Sequence, residues 1–241
     1  MADLHTDASE QRSRRLSDTR TSTKPDTEPV QKPPVGGESL PVHIPTAGPT
    51  AGPAAQVIGD PLALGLASFG VTVGVVGAVN AGLVGSGVGP VTFAVMIASG
   101  FITQLIAGLL AFRRGETFVG VVFTAFSGFW LGVTLLLAIW APAITNAGGS
   151  VGDGLGLFLL GWAIISTYIW VASLVTTKSN IVVFGVGTAA LYVLAVAGFT
   201  DSSSLTKAGG WLQVLTGVGL LYLSAAAIVN ETYGRRAIPV L

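Results

Sequence analysis

The sequence of 241 residues predicts an all-α membrane protein with six transmembrane helices. Three observations predict it. Of the residues, 51% are hydrophobic and 10% charged, where soluble domains carry roughly a quarter charged. Residues 117–141 read TFVGVVFTAFSGFWLGVTLLLAIWA, twenty-five residues without a charged side chain; a hydrocarbon core of about 30 Å needs about 20 helical residues, and a helix satisfies every backbone polar group within the segment. The basic residues divide eleven to one between alternate sides of the predicted spans. Basic loops stay in the cytoplasm, so both termini are placed inside and the number of spans must be even.

Residues 1–56 are rich in Ser, Thr, Pro, Asp, Glu and Arg and hold few apolar pairs. Such a segment buries too little surface to offset its ordering entropy, and it is expected to be a disordered cytoplasmic tail. No apolar stretch follows the early arginines, so a cleaved signal peptide is not expected. Residues 57–234 form the expected transmembrane domain, and residues 235–241 a short cytoplasmic C-terminus.

The first span opens at Asp60-Pro61, a capping carboxylate before a proline at a tolerated position, and is expected to run to about residue 84. Gly70, Gly74, Ala78 and Gly82 make a row of small residues along it, a face for close helix approach. Its late polar residue is Asn80. The second span, residues 91–112, carries Gln104 near its centre and ends at Arg113-Arg114-Gly115-Glu116. In the third span Gly120, Thr124, Gly128 and Gly132 form another small row, and Pro142 is expected to break the helix. A loop with Asn146 and Asp153 leads to the fourth span, residues 155–175. The fifth, residues 181–198, is the shortest at eighteen residues. After the polar loop 201–207, the sixth span runs over residues 208–229. Trp140 and Trp211, near span ends, read as interface anchors.

No Asp, Glu, Lys, Arg or His lies within these predicted spans. Proton relays, ion pumps and voltage sensors are built from such residues, so an intramembrane carboxylate that binds and releases a proton is excluded. Catalysis within the bilayer would lack its general base, nucleophile or metal, and an enzyme is not expected. Cysteine is absent and both histidines, His5 and His43, precede the first span, so neither a metal site nor a cofactor is called for. Nucleic-acid binding has no support. What remains is a set of polar residues in an apolar, glycine-rich bundle: Thr124, Ser127, Ser166, Thr167, Thr188 and Thr216, with Asn80 and Gln104 as the costlier amides. The hydroxyls read as glue between helices or as bonds to their own helix, the amides as groups facing either a packing partner or a pore.

Five strings in order resemble the acetate uptake transporter family, the microbial succinate/acetate permeases and their fungal acetate- and ammonia-linked relatives. They are DPLALGLASFG (residues 60–70), AVNAG (78–82), QLIAGLLAFRRGETF (104–118), FSGFWLG (126–132) and GGWLQVLTGVGLLYLSAAAIVNETYGRRAIP (209–239), and the resemblance covers residues 59–239. It implies six helices around a central pore in each protomer, assembled as a homo-hexamer, passing acetate, similar small monocarboxylates or succinate. It also implies a narrow point formed by a Phe, a Tyr and a Leu. Matching strings place the Phe at Phe69 and the Tyr at Phe126, where the hydroxyl is lost; the third position falls at Thr188 or Ala189. The signature departs at Asp60, Leu62 and Ala63, where the family has Asn, Ala and Pro.

The expected function is therefore a plasma-membrane channel or transporter for acetate and related small acids, coupled to protons or carrying the protonated acid. Phe69, Phe126, Thr188, Asn80 and Gln104 are the expected pathway residues, and Asp60 and Pro61 lie at the expected cytoplasmic mouth. The alternatives are a channel for ammonia or another small neutral solute, and a membrane scaffold or sensor working through the long tail.

Overall fold

The computed structural model describes residues 59–241; the expectations for the tail, including its six basic residues, lie outside the described residues. Among the described residues six helices are long and apolar enough to cross a membrane: α1 Leu62–Asn80, α2 Val91–Arg113, α3 Thr117–Asn146, α4 Val151–Ser173, α5 Lys178–Thr200 and α6 Ser203–Tyr233. Each packs against its neighbours in sequence, and α6 closes back onto α1, so the helices form a ring. Large apolar side chains such as Leu109 on α2, Leu157 and Ile164 on α4 and Val218 on α6 are exposed on the outside of the helices. That arrangement suits a lipid solvent, where apolar exteriors carry no hydrophobic cost.

Polar side chains set several helix starts, and they lengthen the helices beyond their apolar runs. Ser150 accepts from the Asp153 N–H at 3.0 Å, Thr177 from Asn180 N–H at 3.3 Å and Ser202 from Leu205 N–H at 3.4 Å. Asp153 and Asn180, expected in loops, therefore lie in first turns, and α5 has 23 residues rather than eighteen. At 1.5 Å per residue it spans about 35 Å, enough to cross without standing upright. Asp60 Oδ1 accepts from the Leu62 N–H at 2.8 Å, consistent with a capping carboxylate. At the far end of α6, Gly234 adopts φ 60°, a left-handed cap that glycine takes without strain.

Pro142 does not break its helix. Residues Leu136–Trp140 form a π-helical turn, and the α-helix resumes with Pro142 in its first turn and continues to Asn146. Proline has no N–H to give to a carbonyl one turn earlier; a wide turn before it shifts the hydrogen-bond register so that this donor is not needed. A second π-helical segment, Met96–Thr103, lies in α2, and Ser99 within it donates to the Ser68 carbonyl at 3.1 Å.

The small-residue rows act as close-approach faces with partners that change along the helix. In the α1 row a Cβ on Gly70 would meet α6 at 2.9 Å and one on Gly74 only at 3.9 Å, while Gly77, outside the row, would meet it at 2.7 Å, so α1 and α6 touch nearly backbone to backbone. Gly82 falls beyond the end of α1. In α3, Gly120 packs under Phe112 of α2 and Thr124 against Gly108, whereas Gly128 and Gly132 face Trp162 and Phe158 of α4. A row spaced by four residues advances about 400° per step, drifting about 40° around the helix each time, so its two halves face different neighbours. The α3–α4 seam is filled by rings: Phe129 stacks on Phe158 at 5.6 Å and meets Trp162 edge-on at 5.5 Å.

After Gly234 the chain folds back along α6. The Asn230 side chain accepts from the N–H groups of Ala237 and Ile238 at 2.7 and 2.8 Å and donates to the Ile238 carbonyl at 2.8 Å. Ser179, in the first turn of α5, accepts from the Leu241 N–H at 3.2 Å. At the same end, the Glu116 hydrogen bond to Arg114 Nε, 2.7 Å long, raises the Arg114 pKa above its ordinary value, with the Glu116, Asp60 and Glu231 charges acting in the same direction.

Candidate functional site

Three cavities follow one another through the ring, and their order can be read along each helix that borders them. The first, about 260 Å3, is bordered by Val76 and Asn80 at the end of α1, Leu194 and Ala197 late in α5, and Thr206 and Gln213 early in α6. The second holds only about 30 Å3 and lies one or two turns further in, between Phe69 and Val73 of α1, Leu191 of α5, and Thr216 and Leu220 of α6. The third, about 230 Å3, is bordered by Leu62 and Leu66, Thr177 and Asn180, and Leu223 and Asn230. The narrow cavity shares Phe129, Trp130 and Gln213 with the wide one, and the third lies one turn or more beyond it on α1 and α6, toward the other end of the helices. The narrow cavity is the waist, the tightest of the three cavities.

The waist is built from rings. Phe69 and Phe126 are buried with centroids 4.7 Å apart, Trp130 stands edge-on to Phe69 at 6.4 Å, and Trp162 lies 6.2 Å from Phe126. The close α1–α6 packing holds Phe69 in place, and the aromatic α3–α4 seam holds Phe126. Val183, Phe184 and Leu191 of α5 complete an apolar wall in which Ser166, Gln213 and Thr216 are the polar members. Among the described residues no ionisable side chain borders this cavity. The Thr216 hydroxyl is spent on the Leu212 carbonyl at 2.8 Å, and those of Thr124 and Ser127 likewise bond to their own helix.

The structure brings together some of the expected pathway residues and separates others. Phe69 and Phe126 face the same narrow cavity. Asn80 borders the wide cavity, where its Nδ2 donates to Gln213 Oε1 at 2.8 Å. Thr188 is turned toward α4: its hydroxyl lies 2.8 Å from Ser166 Oγ and donates to the Phe184 carbonyl at 2.8 Å. Of α5, Val183, Phe184, Ala190 and Leu191 border the narrow cavity, Leu191 lying three residues on from Thr188. Gln104 is 0% exposed, and neither its Oε1 nor its Nε2 has a hydrogen-bond partner among the described residues. It borders neither the wide nor the narrow cavity. Asp60 is exposed and Pro61 buried, just ahead of the Leu62 that borders the third cavity.

Sequence reasoning did not select Leu191, Gln213 or Trp130. The criterion that chose Asn80 and Gln104, an amide inside an apolar span, applies equally to Gln213. Trp130 lies in the middle of its span, away from the ends where interface anchors belong. Leu191 had no local signal, since it is one leucine among many.

An unpaired amide in a dry interior costs about 1–3 kcal/mol. Gln104→Leu, nearly equal in volume, is therefore expected to raise the melting temperature in detergent by several degrees and to leave solute flux unchanged. A reduced melting temperature or reduced flux would show that the amide has a working partner.

The comparisons with known proteins agree with this fold. A model of the GPR1/FUN34/yaaH family matches residues 45–240. The succinate-acetate/proton symporter SatP of Escherichia coli is 27% identical over 183 residues, 76% of this chain and 95% of the symporter. Ammonia transport outward protein 2 of Saccharomyces cerevisiae is 29% identical over 175 residues, 71% of this chain and 62% of that protein. Among solved structures, that of the bacterial acetate channel SatP superposes with a TM-score of 0.70 at 27% identity, covering 76% of this chain and 99% of the channel.

Proposed function

We propose, from the premise that this chain belongs to the GPR1/FUN34/yaaH family, that it is a membrane channel or transporter for acetate and similar small monocarboxylates, with succinate as a further substrate. The observation that carries the reading is the cavity of about 30 Å3 between Phe69 and Phe126, adjoining the wide one and bordered by no charged side chain among the described residues. Small solutes pass such a waist only by fitting its aperture and shedding most of their water.

The uncharged waist bears on the transported form. A carboxylic acid with a pKa near 4.3 is only about 0.2% protonated at pH 7, so the anion dominates in solution. Moving an anion out of water costs several kcal/mol unless charge or hydrogen bonds replace the lost hydration. The neutral acid escapes that cost, and its passage carries a proton with the substrate. Proton coupling then needs no ionisable side chain in the membrane.

In this reading both termini are cytoplasmic, because Arg113, Arg114, Lys178, Arg235 and Arg236 lie at one end of the helices and Lys207 at the other. The wide cavity beside Asn80 then opens outward, and the third cavity, near Asp60, opens inward. Each protomer has its own passage, and the protomers assemble as a homo-hexamer in the plasma membrane.

The test is uptake of labelled acetate by proteoliposomes, driven by a pH gradient or by a potential. Uptake that follows the pH gradient and is competed by succinate is the expected result. Uptake that follows only the potential would indicate passage of the anion. Ammonia transport is the second reading, favoured by the name of the yeast relative; flux of ammonium insensitive to small acids would establish it instead.

A further inference from the structure

The segment that follows α6 is tied to two helices and borders a cavity. It reverses at Gly234, whose φ of 60° suits a sharp turn. Asn230 of α6 holds its nearer part, accepting from the N–H groups of Ala237 and Ile238 and donating to the Ile238 carbonyl. The Tyr222 hydroxyl donates to the Pro239 carbonyl. The farther part is tied to α5: the Ser179 N–H donates to the Leu241 carbonyl at 3.1 Å, and the Leu241 N–H to Ser179 Oγ at 3.2 Å. Exposure alternates along it, with Ile238 and Val240 half-buried and Pro239 and Leu241 exposed. Val240 packs against the hydrophobic core and borders the third cavity, together with Leu62 and Leu66 of α1 and Thr177 and Asn180 of α5.

We propose that residues 235–241 are a strap that closes the inner mouth of the third cavity, with Asn230 as its latch. Control of solute flux by the strap rests on the transport reading above; the closure itself does not. Every hydrogen bond of the Asn230 side chain goes to the strap and none to another helix, so this amide holds the strap without holding the ring. The strap in turn keeps little apolar surface buried beyond Val240 and Ile238, and most of its length is exposed. A segment with few buried apolar contacts and solvent-exposed hydrogen bonds opens locally at far lower cost than the fold it lies on. Lifting it removes Val240 from the wall of the cavity of about 230 Å3, which then opens to water at the ends of α5 and α6. The waist selects, and the strap sets how freely the inner side is reached.

The chain has no cysteine, so a single introduced thiol reports on one place. Leu66 is 6% exposed and borders the third cavity, and Leu66→Cys puts the thiol there. The rate of its reaction with a charged, water-soluble maleimide is measured in the full chain with Asn230 kept, with Asn230→Leu and with Asn230→Asp. Leucine removes the latch; aspartate keeps the oxygen that accepts from Ala237 and Ile238 and loses only the donor. Asn230→Leu is expected to raise the labelling rate about tenfold, Asn230→Asp much less, and acetate uptake by proteoliposomes is expected to rise several-fold in Asn230→Leu. Leu62→Cys, on the same wall, takes the place of Leu66→Cys if that variant does not fold. Ile169→Cys, at a position 2% exposed and away from this cavity, is expected to stay unreactive throughout. Equal labelling with and without the latch would overturn the strap, as would equal gains at Ile169→Cys, which would mean that the whole bundle loosens. Faster labelling with unchanged uptake would overturn its control of flux. Faster labelling with no acetate uptake by any form would uphold the closure and overturn the transport reading alone.

Discussion

Gly217→Ala is expected to leave little folded protein after detergent extraction, whereas Gly74→Ala, on the facing helix of the same pair, is expected to behave like the unaltered chain. A Cβ at Gly217 would lie 2.8 Å from Gly74 Cα and 2.9 Å from both the Gly70 carbonyl oxygen and the Gly74 nitrogen. All three are backbone atoms, which cannot rotate out of the way, so α1 and α6 must separate along much of their length. Overpacking of this kind costs about 1–3 kcal/mol even when side chains yield, and here the resistance comes from backbone. A Cβ at Gly74 would instead have its nearest neighbour, Gly217 Cα, at 3.9 Å, an ordinary contact. The separation would also pull Asn80 from Gln213, since that hydrogen bond spans the same two helices. Monodispersity and melting temperature of the two purified variants check the prediction, and equal behaviour would mean that α1 and α6 are not held as closely as described.

Phe126→Ala is expected to change which acids pass. The Phe126 ring lies 4.7 Å from Phe69, 5.9 Å from Phe129 and 6.2 Å from Trp162, so it is the common member of the rings that close the waist. Its removal opens the cavity of about 30 Å3 toward the α3–α4 seam. Uptake of propionate, butyrate and succinate relative to acetate is expected to rise about tenfold, the discrimination that one or two methylenes supply in an apolar site. Truncating a buried phenylalanine costs about 3–5 kcal/mol, so the melting temperature should fall as well. Phe126→Leu, with a smaller loss of volume, should show the same trend with less destabilisation. An unchanged substrate ranking in a folded Phe126→Ala protein would place the selective step elsewhere. Phe126→Tyr tests a different property, because the ring is kept and a hydroxyl is added to the apolar wall.

Part of the candidate site could be read before any coordinates. Phe69 and Phe126 were found through strings that resemble a known family, and both border the waist. Asn80 stood out as an amide in an apolar span, and it borders the wide cavity. Gln104 satisfied the same criterion, yet it lies buried away from both central cavities. Composition identifies a costly group; it does not say on which side of the helix that group is spent. Thr188 illustrates the same limit at finer scale. It and Leu191 are three residues apart, or about 60° around the helix, and that rotation separates a side chain bonded to Ser166 from one beside Phe69.

The number of spans, their approximate positions and the charge asymmetry of their ends were determined by the sequence alone. Bilayer thickness requires a minimum apolar length, and charged groups are too costly to place within it, so both constraints act locally along the chain. The tertiary structure decided the rest. Helices capped by Ser150, Thr177 and Ser202 extend past their apolar runs, and a π-helical turn carries α3 through Pro142. The small residues of α3 are shared between α2 and α4 because a four-residue spacing drifts around the helix. Gln213 joins Asn80 across 133 positions of sequence, a pairing created only when α6 returns to close the ring on α1.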